Sequence, residues 1–362
     1  MEGVVGVNTA FWRGKRVFIT GHTGFKGAWL SLWLKELAAH VTGFSVDVPT
    51  NPSLYGVLSG GCVDVDERGD VRDLACLTEA LSASKAEIVF HLAAQSLVRA
   101  SYEDPVGTYT TNVTGTVNLL EATRKVSGVR SVLVVTSDKC YENREVRESY
   151  AEGDPLGGHD PYSSSKGCAE LVTAAYRRSF LQGVGVGVAS VRAGNVIGGG
   201  DWSADRLLPD CARAFSEGQE VVVRNPHSIR PWQHVLDALH GYLLLAERVH
   251  TAPHEFSRAL NFGPEPRDAR PVSEVVAAFA RAWGSGARAR EERLTAAPHE
   301  AALLMLDSSL ARETLGWRPT LGFERGVERT AQWYKAFYQG EDMLGLSRAQ
   351  IREAQSVGED AV

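Results

Sequence analysis

A strand, a glycine turn and a helix in immediate succession limit what this chain can fold into more than any other feature. Arg16-Val17-Phe18-Ile19-Thr20 is an apolar run of strand length that stops at Gly21-His22-Thr23-Gly24-Phe25-Lys26-Gly27. Beyond it Phe25, Trp29, Leu32, Trp33 and Leu37 recur at helical spacing, which places one face on a sheet. Glycines at such a turn let the backbone approach a pyrophosphate, and the helix N-terminus offers free N–H groups and a positive dipole end. Glycines alone also make ordinary tight turns. The strand before and the helix after are the context that turns these into a dinucleotide cradle.

The pattern then repeats. Residues 41–46 read as a second strand with Asp47 at its end, where a carboxylate accepts hydrogen bonds from ribose hydroxyls and repels a 2′-phosphate. That favours NAD over NADP. Asp70-Val71-Arg72-Asp73 leads into a helical stretch to about Lys85, and Ile88-Val89-Phe90-His91-Leu92 is a buried strand followed by small residues, Ala93-Ala94, before Gln95. Asp104-Pro105 opens a helix predicted to run through Lys125, and residues 131–136 form another strand. This alternation predicts a Rossmann-type α/β fold, a doubly wound parallel sheet with ligands beyond the carboxyl ends of its strands. From about Arg192 the pattern loosens into a smaller mixed α/β lobe. The expected division is a dinucleotide-binding domain over 1–191, with a return segment near 232–263, and a substrate-binding lobe over 192–362. The polar tail beyond Gly340 is expected to fold over the surface or fray.

Composition narrows the function. The 362 residues exceed the roughly 250–300 at which single cores stop growing, so a domain with a satellite is expected. A net charge of -6 argues against a nucleic-acid polymer as partner. No run of about 18 apolar residues exists, so no membrane span is expected, and residues 1–8 do not read as a signal peptide. Five cysteines, an odd number without a C-x-x-C pair, suggest reduced thiols in a cytoplasmic protein and no metal site.

Chemistry enters at Asp160-Pro161-Tyr162-Ser163-Ser164-Ser165-Lys166. Asp160 suits a helix N-cap and Pro161 the first helical position, so Tyr162 and Lys166 share a face one turn apart. An ammonium about 4 Å from the phenol, at an effective dielectric near 20, favours the phenolate by roughly 4 kcal/mol, or about three pKa units. A tyrosine tuned in this way takes a proton from an alcohol while a hydride leaves the same carbon. Tyr-x-x-x-Lys alone also fits a polar surface helix, and the upstream partners decide between the two.

With Gly21-x-x-Gly24-x-x-Gly27, Ser137 and Tyr162-x-x-x-Lys166 in this order, the chain resembles the extended short-chain dehydrogenase/reductase family of nucleotide-sugar enzymes. Ser137-Asp138-Lys139, Gly24 to Leu30, Arg192 to Trp202 and Ile229-Arg230-Pro231-Trp232-Gln233-His234 are similar to the CDP-sugar branch of its 4,6-dehydratases. Epimerases of the family usually lack the acid that follows the Ser or Thr. The resemblance implies NAD bound by Gly21, Thr23, Gly24, Phe25, Gly27, Asp47, Asp70, Val71, Leu92, Ala93 and Ala94, with Tyr162 and Lys166 at the nicotinamide end. It implies CDP-glucose as substrate, contacted by Gln95, Asn112, Asn195, Arg206, Arg230 and His299. Catalysis falls to Tyr162 as base at the C4 hydroxyl, Ser137 on the same oxygen, Lys166 beside the phenol and Asp138 as acid at C6. Lys139 stands where dTDP-glucose dehydratases carry Glu, and is either the C5 base or a stabiliser of the enolate. The resemblance also implies a homodimer formed through two long helices on one side of the sheet. Another NAD-dependent nucleotide-sugar 4,6-dehydratase, an epimerase or decarboxylase on the same scaffold, and a silent NAD-binding regulator are the alternatives.

Overall fold

The computed structural model describes residues 4–145, 148–223, 225–291 and 303–359. Seven strands form one parallel sheet: β1 (Arg16–Thr20), β2 (His40–Ser45), β3 (Val65–Arg68), β4 (Ile88–His91), β5 (Ser131–Val135), β6 (Gly187–Ala193) and, after three strands of the smaller lobe, β10 (Ala259–Phe262). Their order is β10-β6-β5-β4-β1-β2-β3. Residues of β4, β5 and β6 are buried throughout, as the near-continuous apolar sequence of a parallel sheet covered on both faces requires. The order reverses at β1, which lies between β2 and β4, and this opens a crevice at the carboxyl edge. β10 comes from the second half of the chain and extends the sheet beside β6.

The helix Phe25–Glu36 follows the glycine turn as predicted, but it is buried all round from Gly27 to Leu34. Its outer side is covered by the C-terminal helix Met343–Glu359, where Arg348 and Arg352 pair with Glu36 at 2.9 and 3.0 Å. The tail therefore closes the fold. Trp12, Trp29, Trp33 and Trp317 are fully buried. The Trp29 indole donates to the Gly199 carbonyl at 2.9 Å and ties this helix to the glycine-rich loop of the smaller lobe.

One predicted helix is interrupted. Residues 105–125 run as Pro105–Tyr109, a π-turn at Thr110–Thr114 and a helix Gly115–Lys125. Asn112 is buried in the π-turn and its side chain bonds the Gln95 backbone at both N–H and carbonyl, 2.8 and 2.9 Å. Widening the helix by one residue at this point lets the amide reach the loop after β4, a use typical of such bulges.

The smaller lobe holds β7 (Asn195–Ile197), β8 (Glu220–Val223), β9 (Ile229–His234), β11 (Ala269–Pro271) and β12 (Arg288–Glu291). β9 is central, parallel to β7 and antiparallel to β11, while β8 pairs with β12.

Candidate active site

The glycine loop is built for close approach. Gly21 has φ +77, and a Cβ there would stand 2.6 Å from the Ala93 nitrogen. A Cβ on Gly27 would lie 2.1 Å from the Gly21 carbonyl oxygen, so helix and loop could not pack. Gly24 caps the helix without a side chain, and a Cβ on it meets protein only at 3.4 Å. A helix N-terminus at a glycine turn beyond the strand ends fits a dinucleotide pyrophosphate. Thr23 Oγ1 donates to the Asp47 carbonyl at 2.6 Å, which fixes the loop to the end of β2, and the Asp47 side chain is exposed. Buried His22 braces the loop from behind through Ser45 Oγ (3.0 Å) and Asp66 (2.9 Å).

Other expected cofactor residues line the same edge. Leu92 and Ala93 donate from their backbones to Thr20 at 3.0 and 3.2 Å, and Ala94 follows them, partly buried. Val71 packs beside Gly115, and its carbonyl accepts from Asn118 at 3.0 Å. The Arg72 guanidinium beside Asp70 holds that carboxyl below the usual range. Phe25 leans on Gly198 of the smaller lobe, 3.1 Å from where its Cβ would be.

Beyond β5 the chain enters a short turn. Ser137 is its N-cap: its Oγ accepts from the Lys139 N–H at 3.2 Å and donates to Asp138 Oδ1 at 3.0 Å. Asp138 is 3% exposed. Burial pushes its carboxyl up, against the pull of Lys139, Ser137, Lys26 and Arg230. A carboxyl raised by desolvation is a proton donor in the making. Lys139 is partly exposed.

Asp160 caps the next helix as predicted, accepting from the Ser163 N–H at 2.9 Å, with Pro161 in the first turn. Tyr162 and Lys166 are buried on one face, 8% and 6% exposed. Their electrostatics differ from the sequence expectation. Burial pushes the Tyr162 phenol up to about 12, and the pull in the other direction comes from Ser137 and Arg206. The Lys166 ammonium donates to the Val135 carbonyl at 3.2 Å, and burial, aided by Lys26, lowers it to about 8. The expected phenolate near 7 is corrected: desolvation of the buried phenol outweighs the pull of Ser137 and Arg206, while the Lys166 ammonium is partly spent on backbone.

The substrate candidates divide into two groups. Arg206 and Arg230 exert their charge on the candidate residues, Arg206 on Tyr162 and Lys26, Arg230 on Asp138. Arg206 also donates to the Ser96 carbonyl at 3.3 Å, and Arg99 pairs with Asp205 at 2.8 Å, so the two lobes meet over the cleft. Asn195 lies partly exposed on β7. Gln95 and Asn112 are committed to the scaffold. The Gln95 amide bonds Leu97 and Thr108, and Asn112 also donates to Ser165 Oγ at 2.9 Å, one turn from Tyr162. They help position the helix that carries Tyr162 and Lys166. His299 lies outside the described residues.

Sequence reasoning placed Lys26 in a motif and gave it no role. In the structure it is partly buried and feels the charges of Arg206, Asp138 and Asp201, and desolvation lowers it to about 8. Its position inside the glycine turn, at the start of the helix Phe25–Glu36, was the available signal. A second missed feature lies just beneath. Arg192 grips Glu170 with two bonds, 2.9 and 2.8 Å, and Thr136 and Ser190 donate to the same carboxylate at 2.5 and 2.6 Å. Thr136 immediately precedes Ser137, so this cluster fixes the end of β5.

Fold and site together define a dinucleotide-dependent enzyme acting on a hydroxylated substrate. Residues 17–282 match the NAD dependent epimerase/dehydratase family, and the chain belongs to that family. It is 50% identical to the CDP-glucose 4,6-dehydratase of Salmonella typhimurium over 97% of this chain and 99% of that protein. A solved UDP-glucose-4-epimerase from Stenotrophomonas maltophila superposes with a TM-score of 0.79 at 21% identity, covering 90% of this chain and 99% of the other. The dTDP-glucose 4,6-dehydratase of Streptomyces venezuelae gives 0.74 at 23% identity, covering 91% and 99%. At these identities the two structures establish the shared fold.

Proposed function

We propose that the chain dehydrates CDP-D-glucose to CDP-4-dehydro-6-deoxy-D-glucose by oxidation at C4, loss of water across C5 and C6, and return of the hydride to C6 with a proton to C5. The observation that carries the reaction is Asp138, a carboxyl raised by burial and bonded to the same Ser137 that acts on the Tyr162 phenol. The identity of the nucleotide rests on the 50% identical relative. NAD+ held at the glycine loop supplies the hydride acceptor and a positive ring whose charge lowers the phenol. Tyr162 takes the C4 hydroxyl proton, and Ser137 holds the oxygen. The ketone acidifies the C5 proton, and Asp138 donates its own proton to the departing C6 hydroxyl. Lys139 serves as the C5 base or as a partner of the enolate, and Arg230 and Arg206 suit the diphosphate, where a guanidinium offers paired donors.

The working unit in this reading is a homodimer. Leu171 on the helix Pro161–Tyr176 is 60% exposed, and Tyr102, Val106, Tyr109 and Phe180 around it are 37% or more exposed. A second copy would cover this face. The five cysteines are free, and we place the enzyme in the cytoplasm. Purified protein offered CDP-, dTDP-, UDP- and GDP-glucose side by side should form a 4-keto sugar from CDP-glucose preferentially. A tenfold preference for dTDP-glucose, about 1.4 kcal/mol in transition-state binding, would reverse the assignment.

A further inference from the structure

One ion pair joins the two lobes at the surface. Arg99, on the short helix Val98–Glu103, pairs with Asp205 at 2.8 Å, although 106 residues separate them in the chain. The two side chains are 42% and 46% exposed, and a pair so open to water contributes little to stability. What it does fix is a position.

A neighbouring bond makes the attachment a double one. Arg206, next after Asp205, donates to the carbonyl of Ser96, which lies just ahead of the helix that carries Arg99. One contact sets a distance between two segments, and two contacts side by side also set their rotation. Asp205 makes the turn between them with φ +58, in the left-handed region where residues other than glycine are uncommon and aspartate is among the better tolerated.

The Ser96 to Arg99 side is the fixed half. Gln95 is tied to Asn112, Leu97 and Thr108, and the helix Val98–Glu103 packs on the helix Pro161–Tyr176 that carries Tyr162 and Lys166. The other half belongs to the smaller lobe, where Arg206 is the N-cap residue of the helix Leu207–Ser216 and is partly exposed. From there its guanidinium sets its charge beside Tyr162 and against Lys26, a like charge. Like charges repel, so keeping the guanidinium in that place takes a tether.

We propose that Arg99 is a positioning residue of the reaction: its ion pair with Asp205 holds the adjacent Arg206 guanidinium over the cleft, where it meets the diphosphate of the nucleotide sugar. An anion bound there relieves the repulsion between Arg206 and Lys26, so substrate and tether act in the same direction. The inference rests on the diphosphate contact given to Arg206 above and deepens it.

The test measures KM and kcat for CDP-glucose, with urea unfolding alongside, on Arg99→Ala, Asp205→Asn, Arg206→Ala and the pair Arg99→Ala with Arg206→Ala. Asp205→Asn keeps a residue that tolerates the turn and removes its charge. Arg99→Ala and Asp205→Asn should each raise KM threefold or more, with kcat and the unfolding midpoint close to wild type. In the Arg206→Ala background, Arg99→Ala should add nothing, because the group it positions is gone. A smaller rise in KM, a loss that falls on kcat instead, or a further rise when Arg99→Ala is added to Arg206→Ala would overturn the proposal. Arg206→Ala with an unchanged KM overturns it together with the diphosphate contact, and leaves the dehydratase reading standing. If wild type turns over no nucleotide sugar, that reading fails, and the dissociation constant of CDP across the same variants decides Arg99 by the same pattern; CDP that does not bind wild type counts against the proposal.

Discussion

Two buried charge clusters lie within a few residues of each other at the end of β5, and they are built in opposite ways. Glu170 has four donors, two from Arg192 and one each from Thr136 and Ser190, and these bonds hold its carboxyl below the usual range despite burial. Arg192 in turn reaches the Tyr141 hydroxyl at 2.6 Å, which bonds Asn261 of β10 at 2.8 Å. The cluster is closed. The Asp138 carboxyl, by contrast, has one hydrogen bond among the described residues, from Ser137, and burial pushes it up, while Lys26 and Lys166 nearby are both pushed down to about 8. These groups lack partners in proportion to their charge. A buried ionic group is structural where its hydrogen bonds are complete, and available for chemistry where they are not.

The comparison can be broken first at its open end. Asp138→Asn keeps the shape and removes the proton donor, so turnover should fall by about 10²- to 10⁴-fold while stability does not fall. C4 oxidation should survive in this variant, visible as reduced-nicotinamide absorbance after substrate is added. At the closed end the consequences exchange places. Glu170→Gln leaves Arg192 buried against a neutral partner and should cost about 3–5 kcal/mol in urea unfolding, whereas replacing both residues with methionine should recover much of that loss.

A smaller effect sharpens the contrast through pH. Lys26 and Lys166 have folded values of about 8 against ordinary values of 10.5, and they titrate as a coupled pair. Between about 8 and 10.5 the unfolded chain holds protons that the native apoprotein has released, so this pair makes the apoprotein more stable as pH rises through that window. NAD+ affinity should move in the opposite direction, by up to about tenfold per pH unit for each linked proton, because the anionic cofactor loses cationic partners. Parallel fluorescence titrations and unfolding curves from pH 7 to about 10 check both signs.

What could be read from the sequence was local. The glycine loop, the Asp160 cap with Tyr162 and Lys166 one turn apart, and the order of strands and helices all depend on near neighbours, and the structure has them. The interruption at Thr110–Thr114 was not legible, because it answers a bond between Asn112 and Gln95, 17 residues away. Nor was the Glu170–Arg192 pair, which only the adjacency of the helix Pro161–Tyr176 to β6 creates. The direction of Lys166 was missed for a related reason: spacing fixes a shared face, but the Val135 carbonyl at the end of β5 decides where the ammonium points.

The most direct test of the account follows one atom. With CDP-glucose deuterated at C4 and ordinary water as solvent, the 4-keto product should carry the label at C6, because the hydride is stored and returned inside one closed site. The same reaction with unlabelled substrate in D2O should place solvent deuterium at C5. A C4 label that appears in solvent, or a C6 methyl group without it, would contradict the internal transfer on which the roles of Tyr162 and Asp138 depend.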